Sequence, residues 1–209
     1  MKQEDTKKRI LEKSLELFAA NGYDSVSVGE IASAVGIKAP SLYSHFQSKQ
    51  AIFDAIVADT SRQFEKFTDT IKIHVRNFGS DTALFSDITE KELIDKVHKI
   101  INFTMHDESI ALFRKMMTIE QFRTPELSKL YSERFVERLI RYHAGIFKTL
   151  IAEGVLKNEN PETLSLMYVA PIITLIGVCD RQPEREAECI KMLDEHIGLF
   201  YRTFNSSNP

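Results

Sequence analysis

The chain is expected to be all-α, with an N-terminal three-helix helix-turn-helix domain over residues 1–48 and a larger helical domain over residues 49–205. Three observations carry the all-helical part of that expectation. Apolar residues recur at spacings of three and four along most of the 209 residues, no run alternates as a strand of any length would, and Ser27 to Lys49 holds two short helical patterns on either side of Gly36.

A first helix is capped by Asp5 or Thr6, carries Ile10, Leu11, Leu15, Leu17 and Phe18 on its core side, and ends at Asn21-Gly22. Lys7, Lys8 and Arg9 near its start read equally well as a solvated face or as contacts to a DNA backbone. Ser27-Val28-Gly29-Glu30 then has capping-box form, with a hydroxyl to accept an orphan backbone N–H and a glutamate three residues on to reach back. The second helix therefore starts at Val28 and presents Val28, Ile31, Ala32 and Val35 as one stripe. Gly36 stops it, because glycine takes the left-handed backbone that a tight helix-to-helix turn requires.

Pro40 falls in the first turn of the next helix, about Ala39 to Phe46, where a missing N–H does no harm. Leu42 and Phe46, at i and i+4, face inward. That leaves Lys38, Ala39, Ser41, Tyr43, Ser44 and His45 outward, and such a surface is equipped to meet phosphates and base edges in a major groove. Ser48 caps a fourth helix. Lys49 in its first turn opposes the helix dipole, which is sensible where a phosphate shares that helix end; Ser27, His45 and Lys49 are the expected phosphate contacts.

The fourth helix has no Pro or Gly until Gly79. Running from Ser48 to Asn77 it would be a rod of roughly 45 Å. Asn77 to Ser86 reads as a loop. Helices are then expected from Thr89, with Glu92 completing a second capping box, to about His106; from Ser109 to Phe122; from Thr124-Pro125-Glu126 to Gly154; from Asn160-Pro161-Glu162 toward Cys179; and from Gln182-Pro183-Glu184 through Phe204, before a frayed tail over 205–209. Pro171 lies inside the penultimate helix, where it kinks the axis and either opens a space or is an inert irregularity.

Composition bounds the function. Hydrophobic residues make up 43% and charged residues 27%, ordinary for a globular chain, and the net charge of −3 argues against indiscriminate coating of nucleic acid. Residues 1–50 hold seven basic and six acidic side chains, so any attraction to DNA is local. Met1 to Arg9 lacks the apolar core of a signal peptide, and the most apolar run, Tyr168 to Cys179, is too short to span a bilayer; a cytoplasmic protein without membrane contact is expected. Cys179 and Cys189 read as buried thiols in a reducing compartment. The histidines at 74, 98, 106, 143 and 196 show no metal-ligand spacing, and no glycine-rich phosphate loop occurs, so no catalysis, metal or cofactor is expected.

Two features of the larger domain are open on the residues alone. Aromatic and methionine side chains of the middle helices either form ordinary core or line a cavity for an apolar molecule. The runs Tyr168 to Val178 and Ile190 to Phe204 are apolar over more of the helix surface than one stripe requires, and either pair with a second chain or finish a monomeric bundle.

From Thr6 to Ala55 the sequence resembles the tetracycline-repressor (TetR) family of bacterial regulators. Ile10-Leu11, Leu17-Phe18, Gly22-Tyr23, Ser25 to Val28, Ile31-Ala32, Val35-Gly36-Ile37, Leu42-Tyr43-Ser44-His45-Phe46 and Ser48-Lys49 carry the resemblance in order. The chain departs from it at Lys13-Ser14, where two small alanines are usual, and at Lys38, where a hydroxyl usually opens the recognition helix. The resemblance implies a repressor that binds a palindromic double-stranded operator as a homodimer through its two C-terminal helices, with half-sites about 34 to 36 Å apart, and that is released by a partly apolar small-molecule effector. It also favours the cavity reading, with Phe64, Phe67, Phe103, Phe113, Met117, Phe122, Tyr142, Met167 and Tyr168 as lining. The rival is a DNA-holding scaffold or protein-interaction module without an effector.

Overall fold

A computed structural model describes residues 2–74 and 78–206, with the side chains of 2–4, 78 and 80 outside the description. Every element of length is helical: α1 Lys2–Asn21, α2 Val28–Val35, α3 Ala39–Tyr43, α4 Lys49–Thr70, α5 Phe78–Ser86, α6 Glu90–His106, α7 Glu108–Glu120, α8 Pro125–Ser132, α9 Arg138–Ala152, α10 Pro161–Arg181 and α11 Glu186–Phe204. One π-helical turn, Glu133–Glu137, joins α8 to α9, and a 3₁₀ turn, Pro183–Arg185, precedes α11. Among the described residues the sole extended pairing is an isolated bridge between Leu156 and Asn205.

The chain forms two compact units. The first takes in residues up to Phe64 together with His106–Tyr131, and the second Glu65–Met105 with Ser132 onward. The first thus contains residues 2–48, the leading part of α4, and α7, which packs on α1. Its core holds Ile10, Leu15, Phe18, Ile31, Val35, Leu42, Phe46, Ile52, Ile56, Phe113 and Met117, all buried. Lys13 stays outside and pairs with Glu16 at 2.8 Å, but Ser14 is fully buried and its Oγ has no hydrogen-bond partner.

The second unit is built around Leu93, Val97, Ile101, Tyr142, Ile146, Phe147, Leu164, Tyr168, Leu193, Ile197 and Phe200. Polar bonds pin its helices at specific points. The Tyr142 hydroxyl donates to Asp81 at 2.5 Å, joining α9 to α5; Ser165 Oγ donates to the Ile140 carbonyl at 2.7 Å; and His98 meets Asp194 at 2.5 Å, joining α6 to α11. Cys179 and Cys189 are both buried, and burial followed by the neighbouring Cys189 thiol pushes the Cys179 thiol up to about 11.

The first helix begins at Lys2, before the expected cap at Asp5 or Thr6, and the fourth helix and the segment after it also differ from expectation. The rod ends at Thr70, followed by a turn in which Lys72 has φ of 59°, so the 22 residues of α4 span about 33 Å; the part of the expected rod at 75–77 lies outside the described residues. The expected loop up to Ser86 is largely helix α5, held by buried Asp81, whose carboxylate accepts the His74 backbone N–H at 2.6 Å. The expected helix from Pro125 to Gly154 is continuous except for its π turn.

At the C-terminal end, Pro171 lies within an unbroken α10, where it withholds the bond that would reach the Met167 carbonyl. The start of the expected frayed tail is tied down: Lys157 N–H donates to the Phe204 carbonyl at 2.8 Å and Ser206 N–H to that of Val155 at 2.9 Å, while 207–209 lie outside the description. The α10 helix is also longer than the apolar run that marked it. By length and composition it could cross a bilayer, with a mean hydropathy of 1.7 over its best window and only 28% of that window buried.

Two stability tests follow from these side chains. Ser14→Ala removes a hydroxyl that has no partner, so it should raise unfolding free energy by roughly 1 kcal/mol in denaturant titration; a loss of that size would mean the hydroxyl is bonded. Burial holds the His143 imidazole down at about 4, opposed by the bond of its Nδ1 to the Leu139 carbonyl at 2.8 Å. The unfolded chain takes up this proton near pH 6.5 and the folded chain only near pH 4, so the contribution of His143 is complete above about 6.5 and is lost as pH falls toward 4. His143→Gln should flatten the stability profile between those values, and an unaltered slope would mean the ring titrates normally.

Candidate nucleic-acid interface

The helix-turn-helix is built as its local sequence dictates. Ser27 Oγ accepts the Glu30 N–H at 3.2 Å and the Glu30 carboxylate accepts the Ser27 N–H at 2.7 Å, completing the capping box. The Ser27 backbone N–H, followed by the Ser27 hydroxyl, holds the Glu30 carboxyl below its ordinary range. Gly36 turns the chain with φ of 76°, and Ile37 N–H reaches back to the Ala32 carbonyl at 2.9 Å. Arg9 of α1 donates to the Val35 carbonyl at 2.6 Å, closing the other side of the α2 terminus.

The α3 helix is five residues, ending at Tyr43 rather than Phe46, with Lys38 as its N-cap and no side-chain cap bond. Leu42 and Phe46 are buried as expected, and Lys38, Ser41, Tyr43 and Ser44 are exposed, with Ala39 and His45 half-buried. Tyr43, at 52% exposure, is among the most exposed large aromatic side chains of the chain. Ser44 is partly committed, since its Oγ donates to the Ser41 carbonyl at 2.7 Å.

Lys49 departs from expectation. Its ammonium donates to the carbonyls of Tyr23 at 2.9 Å and Val26 at 3.0 Å, approaches that of Asp24 at 3.4 Å, and lies 4.3 Å from the centre of the Tyr23 ring. The cation that opposes the α4 dipole is thus compensated inside the protein, by the carbonyls of the α1–α2 turn. The helix itself is capped by Ser48, whose Oγ accepts the Ala51 N–H at 3.0 Å.

The same turn is held from its other side by residues that spacing did not single out. Glu120, fully buried near the end of α7, accepts the Tyr23 N–H at 3.0 Å; Arg123 lies 3.1 Å from its other oxygen and also donates to Asp24 at 3.0 Å. A β-carbon at Gly22 would come within 3.0 Å of the Glu120 carboxylate, so glycine is required there for space as well as for its φ of 82°. The only signal in the sequence was a glutamate within an apolar helix.

The residues of the expected effector lining are divided between the two units. Phe64, Phe113, Met117 and Phe122 belong to the first unit, where Phe113 and Met117 are core and Phe122 is 86% exposed. Phe67, Phe103, Tyr142, Met167 and Tyr168 belong to the second. There Phe67 stacks on Phe103 at 4.0 Å, Tyr142 is bonded to Asp81, and Met167 borders a shallow cleft with Glu159, Asn160 and Thr163. Tyr168 alone of the nine lines a partly open cavity of the second unit, of about 50 Å³, together with Phe85, His143, Phe147, Phe200 and Tyr201. Drug-sized ligands occupy about 300 to 1,000 Å³, so this cavity is closed to them as it stands. Among the described residues no group of three His, Cys, Asp or Glu side chains is placed to hold a metal.

Lys49→Ala should therefore lower unfolding free energy by about 1 to 3 kcal/mol through the bereaved carbonyls and leave the log–log salt slope of DNA affinity unchanged. A slope smaller by about one unit would return Lys49 to the phosphate contacts.

Comparison with known proteins bears on both units. A model described as "Bacterial regulatory proteins, tetR family" matches residues 10–56, and one described as "AefR-like transcriptional repressor, C-terminal domain" matches 91–165. An uncharacterized HTH-type transcriptional regulator of Bacillus subtilis, YdgC, is 26% identical over 107 residues, 51% of each chain. The alignment thus spans about half the length of that relative. The negative regulator of the biofilm operon of Staphylococcus aureus, IcaR, is 27% identical over 134 residues, 61% of this chain and 70% of IcaR. Among solved structures, a TetR-family regulator of Mesorhizobium loti superposes with a TM-score of 0.69 at 20% identity, covering 98% of this chain and 99% of that one. The SmeT–triclosan complex, SmeT being a repressor of a Stenotrophomonas maltophilia efflux pump, gives 0.67 at 16% identity, covering 96% and 92%. At such identities the structures establish the fold alone. With a reading head whose caps, turn and buried anchors are all in place, and with two consecutive family matches, the chain belongs to the TetR family of bacterial transcriptional regulators.

Proposed function

We infer that the chain is a transcriptional repressor that binds a palindromic operator as a homodimer in the cytoplasm and is released by a small-molecule effector. The observation that carries this reading is the division of α3, with Leu42 and Phe46 locked inward and Lys38, Ser41 and Tyr43 exposed on a helix short enough to enter a major groove. Ser27, exposed at the start of α2, is proposed as a phosphate contact beside it. Ala39, Ser44 and His45 complete the proposed contact surface, and Lys49 supports it from within.

Pairing of two chains is supported by the surface of the two C-terminal helices. Leu166, Met167, Met192 and Leu199 are 48% to 61% exposed on α10 and α11, on a chain where most large apolar side chains are covered. A second copy presenting the same two helices would bury this surface, and the low burial of α10 then belongs to an interface and not to a bilayer. For the effector, the cavity bordered by His143 and Tyr168 is the proposed seed of a larger site, with walls of aromatic and aliphatic side chains and further polar groups from Tyr201 and Asn205. A ligand there must part the surrounding helices and so favours one arrangement of the second unit over another. A coupling of about 1 to 3 kcal/mol would change operator affinity several-fold to a hundred-fold.

The test combines affinity and mass. The protein should sediment as a dimer and protect one palindrome. Tyr43→Ala should weaken operator binding about tenfold or more while leaving the dimer and its melting temperature unchanged. Loss of the dimer or of thermal stability in that variant would make Tyr43 a packing residue, and the absence of a protected palindrome would refute the repressor reading.

A further inference from the structure

The reading head is poor in available charge, and this singles out one side chain. In the first 50 residues, Lys8 pairs with Glu12 at 3.5 Å, Lys13 with Glu16 at 2.8 Å, Arg9 is bound to the Val35 carbonyl, and Lys49 is committed to the α1–α2 turn. Lys7 lies over the Phe46 ring at 5.2 Å. Among the described residues of this head, Lys38 is the cation with no hydrogen bond, ion pair or ring contact. It is exposed, and it stands at the N-cap of α3 in extended backbone with φ of −81° and ψ of 147°.

Its neighbours sharpen the point. Ala39 and Ser41 are short and Pro40 has no N–H to offer, so at the start of α3 no other side chain reaches far and one backbone donor is missing. In helix-turn-helix docking, the N-terminal residues of the second helix meet the base edges, and the groove they enter is about 8.5 Å deep. A lysine is donor-only. Of the four base edges in the major groove, guanine alone offers two adjacent acceptors, N7 and O6, without a donor to repel an ammonium.

We propose that Lys38 is a specificity-determining residue that reads a guanine at one symmetry-related position of each operator half-site. The proposal rests on the operator-binding reading above and adds to it which residue selects which base. A hydroxyl cap at this position would tie its side chain back to the helix; the lysine instead leaves α3 uncapped by any side chain and extends a charge forward. The small loss of helix capping is offset by discrimination between bases.

The test selects binding sites from a randomised duplex library with the full-length protein and with Lys38→Met, which keeps the length of the side chain and removes its charge. Because Lys38 makes no internal contact, the variant should melt with the parent. The parent should enrich a palindrome with guanine at a fixed place in each half. Lys38→Met should enrich the same palindrome with that place degenerate. Substituting 7-deazaguanine there should weaken the parent about tenfold or more and leave Lys38→Met unaffected. If Lys38→Met keeps the guanine preference, or loses affinity equally for all sequences with a salt slope smaller by about one, Lys38 touches phosphate and the proposal is overturned. If the parent enriches no palindrome at all, the operator reading fails first and takes this assignment with it.

Discussion

A helix of five residues closes too few backbone hydrogen bonds to persist in water alone, so the whole reading head depends on how α3 is held. Two devices hold it. The left-handed Gly36 fixes the angle at which the chain leaves α2, and Leu42 with Phe46, one turn apart, bury completely or nearly so where α3 packs on α2 and Lys7 of α1 covers the Phe46 ring. Fully burying two such side chains is worth about 1.5 to 3 kcal/mol each, far more than the helix could contribute by propensity. The consequence is functional. A helix fixed by its buried face leaves the opposite face free of any structural duty, and residues there are selected only for what they touch.

The turn that leads into α2 is held with comparable care, from two directions. An ammonium from the start of α4 gathers the carbonyls of Tyr23, Asp24 and Val26, while the carboxylate of Glu120 takes the Tyr23 N–H, so both polarities of one backbone turn are satisfied by charged side chains. Bonds to charged groups are roughly twice as strong as neutral ones. The tyrosine ring is fixed as well, edge-on to Phe18 at 5.1 Å and to Phe53 at 5.3 Å, and its partial burial, with Asp54 and Asp24 nearby, pushes its phenol upward. Placing a buried carboxylate here is expensive unless its oxygens are engaged, and the Arg123 guanidinium, which also reaches Asp24, is what makes it tolerable. The entry to α2 is thereby tied to the end of α7.

What was legible in the sequence was what is decided within a few residues. Ser27 with Glu30, Thr89 with Glu92, Asn160 before Pro161, and Gly36 each act through their own backbone, and each is found in place. What was not legible depends on partners far along the chain. The segment Gly79-Ser80-Asp81-Thr82 has the composition of a turn, yet it is helical because Asp81 is buried against Tyr142, 61 residues away. The break after Thr70 has no Gly or Pro to announce it. Phe113 of α7 could not reveal from spacing that its helix packs on α1. Lys49 was placed correctly at a helix start, but spacing gives the position of a charge and not the direction in which its side chain folds, here toward the carbonyls of the α1–α2 turn.

Charge is the remaining constraint on how such a head finds its site. With a net charge of −3 overall, and with seven basic against six acidic side chains in its first 50 residues, the protein gains little from the long-range field of DNA. Affinity that comes from general attraction falls steeply with salt and does not distinguish sequences, whereas affinity from a few positioned contacts does the reverse. A head so nearly balanced in charge must rely on contacts that only the right sequence completes. In the proposed dimer each contact would be duplicated without adding general charge, so the ratio of specific to non-specific binding would rise while the background stays low. The spacing between two heads would then be the quantity that a second unit could control, because both sets of contacts would be lost together when that spacing changed.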